Sequence, residues 1–166
     1  MNRDALLQLF DDHHLPLYRF AYRMTGSVAD AEDIVQECFL QLLRPGCTYD
    51  AARTPIRTYL FGAIRNQSLK RIGKPVPEGP EPGHNRSPER ELLQTELEAA
   101  VAHAVTQLPE GQREALILAH YEQMPLAEIA RVMEIEVTAV KSRLQRARAG
   151  LKEMLVAYAP GARSQR

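Results

Sequence analysis

A chain of 166 residues has room for one ordinary domain or two very small ones, which excludes a large multi-domain enzyme. With 45% hydrophobic and 25% charged residues it can fill a core, which also excludes disorder over most of its length. Lys plus Arg balance Asp plus Glu at 21 each, so net charge alone points to no polyanionic partner.

The opening segment from Asp4 to Thr25 has helical periodicity, bent or restarted around Pro16. Its acids fall where a signal peptide needs an apolar stretch, and no run approaches the roughly 18 to 20 apolar residues of a membrane span. The expectation is a cytoplasmic chain without membrane insertion. Asp11, Asp12, His13 and His14 are contiguous, so on a helix they point about 100° apart and cannot converge on one metal ion. Ser27 with Asp30 forms a capping-box start. Ala31, Ile34, Val35, Cys38, Phe39, Leu42 and Leu43 then recur at spacings of three and four, predicting a helix that ends near Arg44. Cys38 and Cys47 are too few for a disulfide framework or a structural zinc site and read as reduced thiols. Pro55 opens another helix, with Ile56, Tyr59, Leu60, Ala63 and Ile64 as its apolar series.

From Gly73 to Pro88, sixteen residues hold five of the eleven prolines and three of the nine glycines, a composition that predicts a semi-stiff tether. Halves of 72 and 78 residues flank it, each so small that helical bundles are favoured over sheets. The second half shows an apolar stripe of Leu93, Leu97, Val101, Ala104, Val105 and Leu108, then a helix from Pro109 to about Tyr121. Pro125 begins a short helix with Leu126, Ile129, Ala130 and Met133 inward, and a break at Glu134 to Glu136 leads to a longer one burying Val140, Leu144, Ala147 and Leu151. Two helices joined by a tight turn, the second rich in bases, have the layout of a helix-turn-helix. The fold class is therefore all-α: two small helical domains joined by a Pro/Gly-rich linker.

Charge is unevenly distributed along this frame. Ala51 to Pro77 holds six bases and no acid, and Val137 to Lys152 holds five bases and no acid. On the last helix, burial of the apolar stripe turns Lys141, Gln145, Arg148 and Lys152 outward, flanked by Ser142, Arg143 and Arg146. A row of donors on one helix suits a major groove, where arginine forks onto guanine and other bases grip phosphates. The helix from Ile56 carries Arg57, Phe61, Arg65 and Ser68 opposite its apolar series. Rings alternating with guanidiniums suit an unpaired strand, with stacked bases and a backbone followed by arginines. The competing reading puts Phe61 and Tyr59 in the core. Glu32, Asp33, Gln36, Glu37 and Gln41 make an acidic outer surface that could meet a basic protein, although acids at a helix N-terminus also have a sufficient local reason in the macrodipole. No nucleotide-binding loop, HExxH or GxSxG occurs, and neither a cofactor, a metal nor a catalytic residue is expected.

Four strings, DAEDIVQECFLQLL (Asp30 to Leu43), YDAARTPIRTYLFGAIRN (Tyr49 to Asn66), LPEGQREALIL (Leu108 to Leu118) and EIARVMEIEVTAVKSRLQRARAGL (Glu128 to Leu151), together resemble the sigma-70 family. Within it the match is to the extracytoplasmic-function, or group IV, sigma factors. The resemblance implies a region 2-like domain over 1–72, a flexible linker over 73–90, a region 4-like helix-turn-helix domain over 91–159 and a disordered tail over 160–166. It implies that Asp33, Gln36, Glu37 and Gln41 contact the β′ clamp helices of core RNA polymerase, which displaces the local reason for those acids. Arg57, Tyr59, Phe61, Arg65, Asn66 and Lys70 would recognise the minus-10 element. Thr138, Lys141, Ser142, Arg143, Gln145, Arg146 and Arg148 would read the minus-35 element. The implied partners are core polymerase, including its β flap, promoter DNA and an anti-sigma factor. Family members usually have Trp where this chain has Tyr59, Gly where it has Glu134 and Thr where it has Ala139. A non-Gly residue in the turn would adopt a left-handed conformation or reset the turn, and Thr138 becomes the candidate N-cap. Two alternatives remain on the sequence. One is a LuxR-like operator-binding regulator, which requires an α/β receiver or ligand-binding first half. The other is a helical adaptor acting only through proteins.

Overall fold

The computed structural model describes residues 2–72 and 88–158, and the side chains from Glu96 onward in the second stretch. The tether over 73–87 and the tail over 160–166 lie outside the described residues. Among the described residues seven α-helices follow in order: α1 (Arg3–Thr25), α2 (Val28–Leu43), α3 (Ile56–Arg71), α4 (Pro88–Gln107), α5 (Glu110–Leu116), α6 (Leu126–Met133) and α7 (Val137–Met154). Among the described residues there is no strand.

Pro16 neither ends nor restarts α1, contrary to one form of the expectation. The turns after it are retained because they bury Leu17, Phe20, Ala21 and Met24 against α2 and α3, which offsets the lost backbone donor. Gly26 closes α1 in the left-handed region at φ 69°, donating its N–H to the Tyr22 carbonyl at 2.7 Å. Ser27 follows at once as N-cap of α2, its Oγ accepting from the Asp30 N–H at 3.2 Å. Gly26 and Ser27 alone thus join α1 to α2, and the two helices pack on each other. The six predicted core positions from Ala31 to Leu42 are buried, whereas Leu43 at the helix end is exposed. Pro55 is the N-cap of α3.

In the second half, Pro88 is already helical, so α4 begins inside the stretch assigned to the linker, consistent with the tolerance of proline in a first turn. Ala104, Val105 and Leu108 are buried and Val101 packs partly buried against them, but Leu97 is half exposed, and the side chain of Leu93 lies outside the described residues. After α5 the chain widens into one π-helical turn over Ile117–Tyr121, and Glu122 donates its N–H back to the Ile117 carbonyl at 3.2 Å. Glu134 ends α6 in the left-handed conformation, φ 55° and ψ 42°, and α7 starts three residues later.

The two halves do not stand apart. Helix α3 packs on α6, α1 touches the π turn, and the buried side chains of both halves form one continuous cluster running from Leu17 and Phe20 through Leu60 and Ile64 to Ile117, Val132 and Val140. The two helical units are thus docked face to face.

Candidate nucleic-acid and polymerase interfaces

Helix α7 is positioned by Val140, Leu144 and Ala147, all buried at four- and three-residue spacing against α5 and α6. That packing leaves Thr138, Lys141, Gln145, Arg146 and Arg148 exposed along the opposite side. Ser142 and Arg143 are half-buried. The guanidinium of Arg143 lies over Gly111 of α5 so closely that a Cβ there would stand 2.7 Å from its Nη1. Thr138 is not the N-cap: Glu136 occupies that position without a side-chain capping bond, because the chain turns helical at Val137.

Helix α3 presents two different faces. Tyr59, Asn66 and Lys70 line a groove of about 670 Å³ that also takes in Gln41 from α2 and Thr48 from the loop before α3. The Tyr59 ring is tilted against Tyr49 with centroids 5.0 Å apart, and burial raises its phenol from the ordinary value. The far wall of this groove is Arg131, Val132 and Glu134 at the end of α6. The stacking face proposed through Arg57, Phe61, Arg65 and Ser68 is not turned to solvent. Phe61 is 1% exposed and tilts against Phe20 at 5.5 Å, and Ser68 is fully buried. A ring spaced by four from two arginines can as readily seal a core edge as receive a base, and here the apolar surface of α1 claims it.

Arg57 and Arg65 instead meet the second unit. Arg65 is ion-paired through Nε with Oε1 of Glu114 on α5, whose carboxylate is almost wholly buried. Burial lowers the Arg65 guanidinium from its ordinary value, with Glu134 opposing the shift. Arg57 donates to the Glu122 carbonyl at 2.9 Å and stands 3.5 Å from the Glu128 carboxylate. Nearby, Arg23 lies over the Tyr121 ring at 3.8 Å, and Arg131 donates to the Arg53 carbonyl at 2.9 Å. Sequence reasoning did not single out Glu114, Glu128, Tyr121 or Arg23. Glu114 did leave a signal, a carboxylate beside the apolar run Ala115 to Leu118, since a buried acid needs a partner.

On α2, Asp33 and Gln36 are exposed while Glu37 and Gln41 are half-buried. Arg71 from α3 stands 3.1 Å from Asp30 and 3.7 Å from Asp33, and Arg44 stands 3.1 Å from Glu37, which also accepts from Gln41 at 3.3 Å. These partly solvated pairs orient the acids without removing them from reach.

An all-helical unit with an acidic helix, joined to a helix-turn-helix with an outward row of bases, matches two family models in order: Sigma-70 region 2 over residues 9–74 and Sigma-70, region 4 over residues 98–151. The chain belongs to the sigma-70 family. Similar proteins include the ECF RNA polymerase sigma factor SigM of Mycobacterium tuberculosis, 31% identical over 157 residues that cover 93% of this chain and 79% of the relative. SigW of Bacillus subtilis, another ECF RNA polymerase sigma factor, is 28% identical over 170 residues, covering 93% and 90%. The structure of CnrH in complex with the cytosolic domain of CnrY superposes with a TM-score of 0.73 at 28% identity, covering 95% of this chain and 92% of that one. Its class is thus an alternative sigma factor of the extracytoplasmic-function group, which directs transcription initiation and is not an enzyme. The operator-binding alternative is not favoured, since the described residues ahead of 73 contain helices only. Among the described residues no helix is long and apolar enough to cross a membrane.

Proposed function

We propose that this sigma factor works as a bipartite promoter clamp, with a region 2 unit over 1–72 and a region 4 unit over 91–159. In this reading Asp33, Gln36, Glu37 and Gln41 hold the β′ clamp helices of core RNA polymerase, and region 4 reaches the β flap. Tyr59, Asn66 and Lys70 receive the opened minus-10 strand, with Arg57 and Arg65 following its backbone once they are released from region 4. Thr138, Lys141, Gln145, Arg146 and Arg148 contact the minus-35 duplex, with Ser142 and Arg143 at its edge. Each contact alone is weak, and polymerase combines them through effective concentration. The partners are core polymerase and promoter DNA in the cytoplasm. An anti-sigma factor is a further partner, on the analogy of CnrH, whose solved structure is a complex with the cytosolic domain of CnrY.

The observation that carries the reading is the exposed row on α7, facing away from the packed surface directly after the left-handed turn. In vitro transcription with core polymerase tests it. Glu37→Lys should lower initiation by weakening polymerase binding. Arg146→Ala should lower it at the promoter while leaving polymerase binding intact, by the roughly 1 to 3 kcal/mol of one base or phosphate contact. Unchanged initiation in both variants would overturn the two assignments.

A further inference from the structure

Arg143 stands among the candidate minus-35 contacts of α7, yet it lies on the side of the helix that packs on α5. At about 100° per residue it falls about 60° from Val140 and about 40° from Ala147, both buried, whereas exposed Gln145 falls about 140° from Val140. Its guanidinium covers Gly111 of the facing helix. A Cβ at Gly111 would stand 2.7 Å from Nη1, 3.1 Å from Cζ and 3.4 Å from Nε of Arg143, so the group lies across the bare backbone and only glycine leaves it that seat. About two turns further along α7 the same device recurs, since a Cβ at Gly150 would stand 3.1 Å from Leu108 Cδ2, just ahead of α5. Two close crossings therefore set the angle of α7 on the rest of its unit. Arg143 also shares its surroundings with acids: Glu110, beside Gly111, and Glu134, in the turn before α7, act together with it on the Arg65 guanidinium.

We propose that Arg143 is a positioning residue for minus-35 recognition: seated on Gly111, its guanidinium fixes the angle at which α7 meets the duplex, and it acts through α5 and not through DNA. The inference rests on the reading of α7 as the minus-35 helix. Productive contacts tolerate only about 0.5 Å and 10–20° of error, so a tilt of α7 misplaces Lys141, Gln145 and Arg146 together. A base-reading arginine, in contrast, affects the one position that it touches.

The test is transcription by the full chain with core polymerase, on a promoter in which each minus-35 base pair is substituted in turn. Gly111→Ala is the main probe. The atoms that its methyl meets are the far end of a flexible side chain, so the guanidinium is evicted with its charge intact, and alanine favours a helix more than glycine does. Gly111→Ala and Arg143→Ala should each lower initiation by roughly five- to tenfold, and the double variant should be no worse than either, because both remove the same contact. Selection should weaken at several minus-35 positions at once, with the salt slope of promoter binding unchanged. Unchanged or stronger promoter use by Gly111→Ala, folded by circular dichroism, would overturn the proposal, since the evicted guanidinium is then free to reach DNA. Arg143→Ala gives an answer even if Gly111→Ala does not fold: relaxed selection at a single position, or a slope reduced by about 1, marks a direct base or phosphate contact and overturns positioning. Unchanged initiation by Arg143→Ala overturns it as well. Arg146→Ala separates this failure from that of the underlying reading. If Arg146→Ala lowers initiation and the Arg143 and Gly111 variants do not, positioning alone is wrong; if none of the three has an effect, α7 is not the minus-35 helix and both are wrong.

Discussion

Cys38 and Cys47 show how a single position takes its chemistry from its surroundings. Cys38 lies in the core of the first unit, and burial, helped by the charge of Glu37, pushes its thiol up to about 12. Cys47 is half-buried, with its Sγ 4.0 Å from the Tyr59 hydroxyl. Iodoacetamide should therefore modify Cys47 of the native chain first, and mass spectrometry should find Cys38 alkylated only after unfolding. The same shift has a pH consequence. The native thiol keeps its proton while the unfolded one releases it from about pH 9, so the native state binds more protons and stability falls as pH rises from there toward 12. Denaturation midpoints across that range should show this component missing in Cys38→Ala. At the same scale, Phe61 and Ser68 show the limit of reading a face from spacing. Both fit an outward row with Arg57 and Arg65, and both are buried, Phe61 against Phe20 of α1.

Among the elements, the turn between α6 and α7 departs most clearly from the family pattern. A side chain at φ 55° costs about 1 to 2 kcal/mol relative to an ordinary helical conformation, so Glu134 holds the turn under strain that glycine would avoid. Glu134→Gly should raise the unfolding free energy, by up to about 1 kcal/mol once the entropy of glycine is counted, and Glu134→Val should lower it. Denaturant titration of the full chain checks both. The departure at this position was visible in the sequence as an unexpected acid, and the left-handed backbone is the answer the chain adopts. The π turn after α5 left no comparable trace. It orients Tyr121 toward Arg23 and the Glu122 carbonyl toward Arg57, an arrangement set by packing between the units and not by local propensity.

For the whole molecule, two docked units with the α7 row still exposed predict that free chain and holoenzyme differ in how they meet DNA. The free chain should bind promoter duplex poorly, since one helix supplies only a few contacts. Holoenzyme binding should weaken steeply with salt, and Arg148→Ala should reduce the log–log slope by about 1 if Arg148 meets a phosphate. Filter binding over a salt series measures that slope. A slope unchanged in Arg148→Ala would remove Arg148 from the minus-35 contacts.

Local chemistry sufficed for much of this. Periodicity of 3.6 identified the helices and most of their buried positions, the Ser27 cap and Pro55 marked their starts, and the four strings in order carried the family. Which side of α3 faces the solvent was not decided locally, because Tyr59 and Phe61 are equally aromatic and lie on nearly opposite faces of the same helix. Nor was the pairing of Arg65 with Glu114, 49 residues apart. A charge's helical phase follows from its own segment, but its partner follows from how separate segments dock, and docking is settled only when the whole apolar surface of both units is buried together.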